Sequence, residues 1–373
     1  MTLVTLRLDR RGASDRAARL RVAMELVAQL RAAGPRRAWP ATGVRFARLA
    51  SCAAVVCLMS WSSVPAVAQS VAPDEQGART AWGDPDLMGV WDFRSLTPLQ
   101  RPAAFEGKAV LSAEEAAAYE RERVALLDKD RRTDDGLSTR ADVANAYNEF
   151  WWDYGKELTE DHRTSLIVDP PDGRIPDLTD AARERRQVRG EARRRDAWGP
   201  EDRSVAERCI LGFNAGPPVN PSAYNNNVQI FQAPGYVVVL NEMVHDARII
   251  PLDGRAHLPD HMRQWRGDSR GHWDGDTLVV ETTNFTSQTS VSGSGRQLRL
   301  VERFTRIRDD RVRYEYTVDD AESFASPWTV VIPLKQSDQP LFEYACHEGN
   351  YGMMNLMESA RAVDARRAEG SSK

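Results

Sequence analysis

The sequence predicts a mainly β protein, an antiparallel barrel or sandwich with inserted helices and a long irregular N-terminal portion. Three observations lead to this prediction. From Val205 onward, apolar residues recur with a period of two, which is typical of half-buried strands. Short turns such as Pro234-Gly235 and Asp274-Gly275-Asp276 separate these segments. No helical segment connects them, so the strands should pair as an antiparallel meander.

The predicted strands are short and closely spaced. They are Val228–Gln232, Tyr236–Glu242, Ala247–Pro251, Thr277–Thr282, Leu298–Ile307, Arg311–Asp319, Thr329–Leu334 and Phe342–Cys346. A sheet of this many sequential strands removes its exposed edges by closing into a barrel or stacking into a sandwich. We therefore assign residues 205–373 to an antiparallel β meander with a short C-terminal helix, in which Met353, Met354 and Met357 pack on the barrel.

Residues 69–204 are expected to decorate the same domain with helices and irregular segments. Ser112-Ala113-Glu114-Glu115 is a capping box that begins an Ala-rich helix through Leu127. Asp180 is expected to cap a second helix, residues 181–195, which carries seven arginines. We interpret this arginine run as a solvated helix face offset by nearby acids; a binding site for a polyanion is the alternative.

Residues 1–68 differ in charge from the rest of the chain. They carry eleven arginines and three acidic residues, a net charge of +8, whereas the remainder has a net charge of −12. A basic leader on an acidic body is typical of a targeting segment and argues against a nucleic-acid partner for the mature protein.

The leader also contains the parts of a signal peptide. The apolar run Leu49–Trp61 is shorter than the roughly 20 residues that span a bilayer, and Ala66-Val67-Ala68 fits a signal-peptidase site. We expect cleavage after Ala68, a periplasmic or secreted location and no stable membrane insertion. A retained membrane anchor is the alternative.

Cysteine usage fits export. Cleavage after Ala68 leaves Cys209 and Cys346, which in an oxidising compartment most simply form one disulfide. The bond would close a loop of about 137 residues, which the chain-entropy model values at roughly 5 kcal/mol. The alternative is that Cys346 and His347 form a nucleophile pair, although adjacent residues of a strand point to opposite faces.

Two resemblances bear on the fold and on export. Gly89-Val90-Trp91 resembles the Gly-x-Trp signature of lipocalins and related calycin barrels, which implies a calycin-like barrel, although the helical segment after Trp91 departs from a simple lipocalin. Four segments resemble a broad family of uncharacterised exported bacterial proteins, which implies export and carries no catalytic residue across. These segments are 82–91, 163–173, 273–280 and 344–351.

Candidate site residues lie in two polar segments. The first runs from Asn241 to His272, and the second ends the last predicted strand. The candidates are His245, Asp246, Arg248, Arg255, His257, His347 and Glu348. Because loops at one end of an antiparallel meander can meet, we expect the two segments to line one mouth of the scaffold.

Three interpretations of these residues stay open. In the first, Asp246 or Glu242 orients His245 for acid–base catalysis, and an arginine binds an anionic group. In the second, the segment binds a metal ion through His245, His257, His261 and a carboxylate, although Pro259 opposes the helix that usually presents such a pair. In the third, arginines and acids form buried ion pairs that fix the loops.

The absence of several sequence motifs narrows the range of possible functions. The sequence has no Gly-x-Gly-x-x-Gly, P-loop, Gly-x-Ser-x-Gly or Cys-x-x-Cys motif. We predict an exported protein without cofactor or metal that has a pocket for a small apolar or aromatic molecule. Cofactor-independent acid–base catalysis of the lyase, isomerase or hydratase type and non-catalytic ligand binding or carriage are both compatible with the sequence. A metal-dependent enzyme using the histidines is a further alternative.

Overall fold

A computed structural model of the chain describes residues 78–128, 152–194, 197 and 199–371. The strands are β1 (Gly89–Asp92), β2 (Ile167–Asp169), β3 (Asn227–Ala233), β4 (Tyr236–Asn241), β5 (Ala247–Pro251), β6 (Asp268–Asp274), β7 (Thr277–Thr283), β8 (Arg299–Arg308), β9 (Arg311–Asp319) and β10 (Trp328–Gln336). The α-helices of the described residues are α1 (Ala113–Leu127), α2 (Asp180–Arg194) and α3 (Tyr351–Ser371).

All ten strands form one antiparallel sheet. Its order is β5-β4-β3-β1-β10-β9-β8-β7-β6, and β2 pairs with β10. The sheet curls until it is nearly closed, which brings β5 and β6 side by side. The predicted mainly β, antiparallel barrel is confirmed. We call the end that carries the β4–β5 turn (242–246) and the β7–β8 connection (284–298) the upper end.

A glycine lets the first and last strands of the sheet approach each other. A Cβ at Gly271 of β6 would lie 2.7 Å from Leu252 Cδ2 and 2.9 Å from Ile250 Cγ2. Real Cβ atoms do not approach neighbours that closely, so a larger residue would require the side chains of Leu252 and Ile250, or β5 itself, to shift. The missing side chain at position 271 therefore contributes to the close packing of β5 against β6.

Alternation along the strands fills the barrel interior. On β9, Val312, Tyr314, Tyr316 and Val318 all point inward and are fully buried. They pack with inward residues of the neighbouring strands and with two tryptophans, Trp91 and Trp328. The interior is therefore a packed core of aromatic and branched side chains, and not an open lipocalin-like cup.

The helices follow the predicted signals with two corrections. The capping box at Ser112 and Glu115 is present and begins α1. The backbone N–H of Ala182 in α2 donates to the hydroxyl oxygen of Thr179, so Thr179 caps this helix. The prediction that Asp180 caps it was wrong. In α3, Met357 is buried but Met354 is exposed, so the three methionines do not form one packed face.

The strand predictions failed at one segment and missed three. Phe342–Cys346 is not a strand, and Phe342 is exposed. The strands β1, β2 and β6 were not predicted as strands. In β6, Ser269 and Gly271 occupy buried inward positions, so the segment shows no alternation of apolar and polar residues. Both β1 and β2 are too short to establish a period of two.

The predicted disulfide is present. Cys209 and Cys346 are bonded, with their Cα atoms 5.6 Å apart. Because both sulfurs are bonded, Cys346 is not a thiol nucleophile paired with His347. No helix among the described residues is long and apolar enough to cross a membrane. The predicted leader and its cleavage site after Ala68 lie outside the described residues.

The closure of the barrel is tested by Gly271→Val. The added side chain overpacks the contact between β5 and β6, so we expect the free energy of unfolding to fall by about 1–3 kcal/mol. Urea unfolding measures this loss. The matched control is His272→Val at the exposed neighbouring position, for which we expect a change within about 0.5 kcal/mol. Equal effects of the two substitutions would contradict the proposed role of Gly271.

Candidate functional site

A large cavity lies outside the packed interior, at the upper end of the barrel. Its volume is about 1090 Å³, and helix α2 covers one side of it. Other walls come from the segment before β3, from Trp265 and from the β7–β8 connection. We call this space the helix-capped cavity. It is lined by Ala181, Glu184, Arg185, Val188, Arg189, Ala192, residues 201–206, 211–213, 216–218, Asn220, Trp265 and residues 287–292.

Arginines of α2 hold this helix over the barrel end. Arg185 donates to Ser323 Oγ at 2.6 Å, and Arg189 donates to the carbonyl of Ser287. Both acceptors lie in connections between strands, β9–β10 and β7–β8 respectively. The arginine run of α2 is therefore not only a solvated face, because two of its members attach the helix to the barrel.

The walls of the cavity combine apolar side chains with charged side chains of both signs. Val188 is 58% exposed and Phe213 is 53% exposed, and both face the cavity. Trp265 adds an indole ring, with the guanidinium of Arg208 5.8 Å from its centroid. Exposed apolar side chains around a concave space are typical of a site that buries part of a ligand.

Two sets of polar contacts lie between the barrel interior and the cavity wall. Arg248 of β5 contacts both carboxylate oxygens of Glu302 of β8, the Nη2–Oε1 distance being 3.0 Å. The Tyr314 hydroxyl donates to Glu302 Oε1 at 2.8 Å, and burial raises the pKa of this tyrosine. Tyr316 donates to Asn220 Oδ1 at 2.7 Å, and Asn220 lines the cavity.

Three of the predicted site residues lie near one another at the upper end. His245 ends a 3-10 turn, Met243–His245, between β4 and β5. Asp246 Oδ2 lies 3.0 Å from Arg266 Nε. Arg248 belongs to the buried pair with Glu302, as the structural interpretation of the polar segment expected for arginines.

The turn around His245 has an uncommon backbone. Val244 has φ 65° and His245 has φ 49°, the left-handed region that β-branched residues rarely adopt. Gly212 lets this turn pack closely, since a Cβ at position 212 would lie 2.2 Å from Met243 Cγ. Gly212 also lines the helix-capped cavity, so the turn lies directly behind the cavity wall. Strained backbone of this kind clusters at functional sites.

The structure separates Arg255 from this turn, whereas His257 lies beside Asp268 at the start of β6, at the upper end. Arg255 pairs with Asp253 and lies 3.3 Å from the Tyr236 hydroxyl, at the opposite end of the barrel. The Arg255 guanidinium holds the pKa of Asp253 down, at about 2. His257 Nδ1 lies 3.0 Å from Asp268 Oδ2, and its Nε2 lies 3.4 Å from Glu281. These contacts attach the β5–β6 connection to the sheet.

His347 and Glu348 lie in an exposed turn after Cys346. The disulfide and a hydrogen bond from Asn350 Nδ2 to the Glu207 carbonyl, 2.8 Å long, fix this turn to segment 205–212. The seven predicted residues therefore do not form one cluster, and none of them lines the helix-capped cavity. No three His, Cys, Asp or Glu side chains among the described residues are arranged to hold a metal ion.

Sequence reasoning missed several polar residues of the upper end. Glu302 lies between Leu300 and Phe304 on the inward face of β8, so the period of two would have identified a buried carboxylate. Its partner Arg248, which was predicted as a site residue, shares its inward face with Ile250 in the same way. Trp265 and Arg266 lie in an irregular connection without periodicity, and no sequence signal identified them.

The buried pair is tested by Glu302→Gln. The change leaves Arg248 charged without its carboxylate, so we expect a loss of about 3–5 kcal/mol in the free energy of unfolding. The matched control is Glu315→Gln, an outward residue paired with exposed Arg313, for which we expect about 0–1 kcal/mol. Urea unfolding measures both.

A double variant separates charge from packing. The double variant Arg248→Met/Glu302→Leu leaves no buried charge unpaired. Its free energy of unfolding should therefore be larger than that of Glu302→Gln alone. If Glu302→Gln unfolds at the same urea concentration as wild type, the carboxylate does not neutralise Arg248.

Comparison with known proteins adds no assignment to this geometry. No protein-family model matches the chain, and no curated protein matches it. The resemblances to calycin barrels and to exported bacterial proteins therefore stay predictions from sequence. The helix-capped cavity and the polar residues behind it are the features from which a function can be argued.

Proposed function

We propose that this chain is an exported binding protein for a small amphipathic molecule with an apolar or aromatic body. The observation that carries the proposal is the helix-capped cavity, about 1090 Å³ with exposed apolar side chains on its walls. Ligand pockets of proteins typically have volumes of about 300–1,000 Å³ and combine apolar walls with a few polar groups.

The walls of the cavity favour a ligand with an apolar body. Val188, Phe213 and Trp265 come from three separate segments and face the same space. Burial of a ligand against them would remove apolar surface from water at about 25 cal/mol per Å². Charged side chains of both signs also line the walls, Arg185 and Arg203 beside Glu184, Glu201 and Asp202, which suits a ligand with a polar end.

Binding is better supported than acid–base catalysis. No histidine lines the cavity among the described residues, and His245 lies behind its wall. The disulfide between Cys209 and Cys346 supports the export part of the proposal, because such bonds persist in oxidising compartments.

The proposal is tested with 1-pyrenebutanol, a neutral fluorescent probe with an aromatic body and a short polar end. We expect saturable binding to the wild-type protein, measured by fluorescence titration. Val188→Trp fills the cavity from α2 and should weaken binding at least tenfold, because the indole occupies the space of the probe.

The control is Gln187→Trp, the same side chain one residue earlier on α2. Gln187 hydrogen-bonds Glu191 and does not line the cavity, so binding should stay within about twofold of wild type. The proposal is wrong if 1-pyrenebutanol does not bind, or if both substitutions weaken binding equally.

A further inference from the structure

Three side chains at the upper end bury polar atoms without a partner. Asn241 Nδ2, His245 Nδ1 and Arg266 Nη2 have no hydrogen-bond partner among the described residues. Asn241 is 3% exposed, and the side chain of Arg266 is 10% exposed. We call these residues the buried donor cluster. Buried N–H groups without an acceptor cost free energy, so native structures nearly always supply one.

The contact between Asn241 and Arg266 orients the free donors. Arg266 Nη1 donates to Asn241 Oδ1 at 3.4 Å, which assigns the carbonyl side of the amide and leaves its NH₂ group unpaired. Arg266 Nε lies 3.0 Å from Asp246 Oδ2 but is not aligned for a hydrogen bond. The amide and the guanidinium therefore retain donors for an additional acceptor.

The cluster lies immediately behind the wall of the helix-capped cavity. Gly216 lines the cavity, and a Cβ at this position would lie 3.3 Å from Asn241 Nδ2. No side chain of residue 216 separates the amide from the cavity. Trp265, which also lines the cavity, is the sequence neighbour of Arg266. The unpaired donors thus lie one layer behind the wall, and at Gly216 that wall consists of backbone alone.

The two buried arginines of the upper end differ in how well they are paired. The carboxylate of Glu302 neutralises Arg248, whereas Arg266 has only Asp246, whose side chain is 53% exposed. Burial lowers the pKa of Arg266; Asp246 raises it and the neighbouring Arg248 lowers it again. Arginine stays charged in proteins even so. A buried cation with a partly solvated partner favours an anion nearby.

We infer that the ligand of the helix-capped cavity carries a carboxylate, bound by Asn241 Nδ2 and the Arg266 guanidinium. This inference rests on the proposed function and specifies its ligand class. A carboxylate offers two oxygens in one plane, which matches an amide and a guanidinium lying side by side. The apolar body of the ligand then lies against Trp265 and Val188.

The test compares 1-pyrenebutyrate with 1-pyrenebutanol, which share the pyrene and the chain and differ at the terminal group. We expect wild-type protein to bind the carboxylate about tenfold more tightly than the alcohol. Asn241→Asp removes the amide donors and gives Arg266 a buried carboxylate partner. It should therefore reduce the affinity for 1-pyrenebutyrate to that for 1-pyrenebutanol, and it should not lower the melting temperature.

Asn220→Asp is the matched control, since Asn220 lies in the cavity wall and its side-chain oxygen can still accept from Tyr316. It should change the preference by no more than about threefold, which measures the effect of a negative charge alone. Arg266→Gln is the second variant if Asn241→Asp unfolds, and it should also abolish the preference.

The outcomes separate the two proposals. If neither probe binds wild-type protein, the proposed function is wrong. If both probes bind equally well, and Asn241→Asp changes neither affinity, the carboxylate inference is overturned while the binding function stands. An equal loss of preference in Asn220→Asp and Asn241→Asp would also overturn it, because general charge repulsion would then explain the effect.

Discussion

The ion pair between Arg248 and Glu302 is the interaction on which the upper end of this barrel depends. It joins β5, at one edge of the sheet, to β8 across the interior. Desolvating two charges is costly, and the cost is offset only when hydrogen bonds satisfy both groups. The bidentate contact and the Tyr314 hydroxyl supply those bonds. The interior is filled by this pair and the packed core, and the helix-capped cavity lies outside it, beneath α2.

The same pair determines the electrostatics of the cavity wall. The hydrogen bonds that Glu302 accepts come from Arg248 and Tyr314. Arg266, next to Trp265 of the cavity wall, instead pairs with Asp246, whose half-exposed carboxylate only partly compensates the positive charge. Gly212 and Gly216 bring the segment before β3 close to the β4–β5 turn and to Asn241. A small molecule beneath α2 would thus meet apolar side chains on one side and unpaired donors on the other.

The sequence predicted the fold better than the site, for physical reasons. Alternation of apolar residues identifies a strand when one face is buried, as in β9, and fails in β6, where Ser269 and Gly271 face inward. Register and curvature decide which loops meet, and neither can be derived from alternation. Arg255 consequently lies at the other end of the barrel from His245. Arg266 could not be found, because its burial arises from loop packing.

A crystal structure of the protein with 1-pyrenebutyrate tests the central claim most directly, since it locates the carboxylate. The account predicts that one carboxylate oxygen lies about 2.7–3.2 Å from Asn241 Nδ2 and the other at a similar distance from Arg266. The pyrene should lie between Val188 of α2 and Trp265. Density for the pyrene elsewhere on the protein would contradict the account, as would a carboxylate in solvent while Asn241 and Arg266 bind only water.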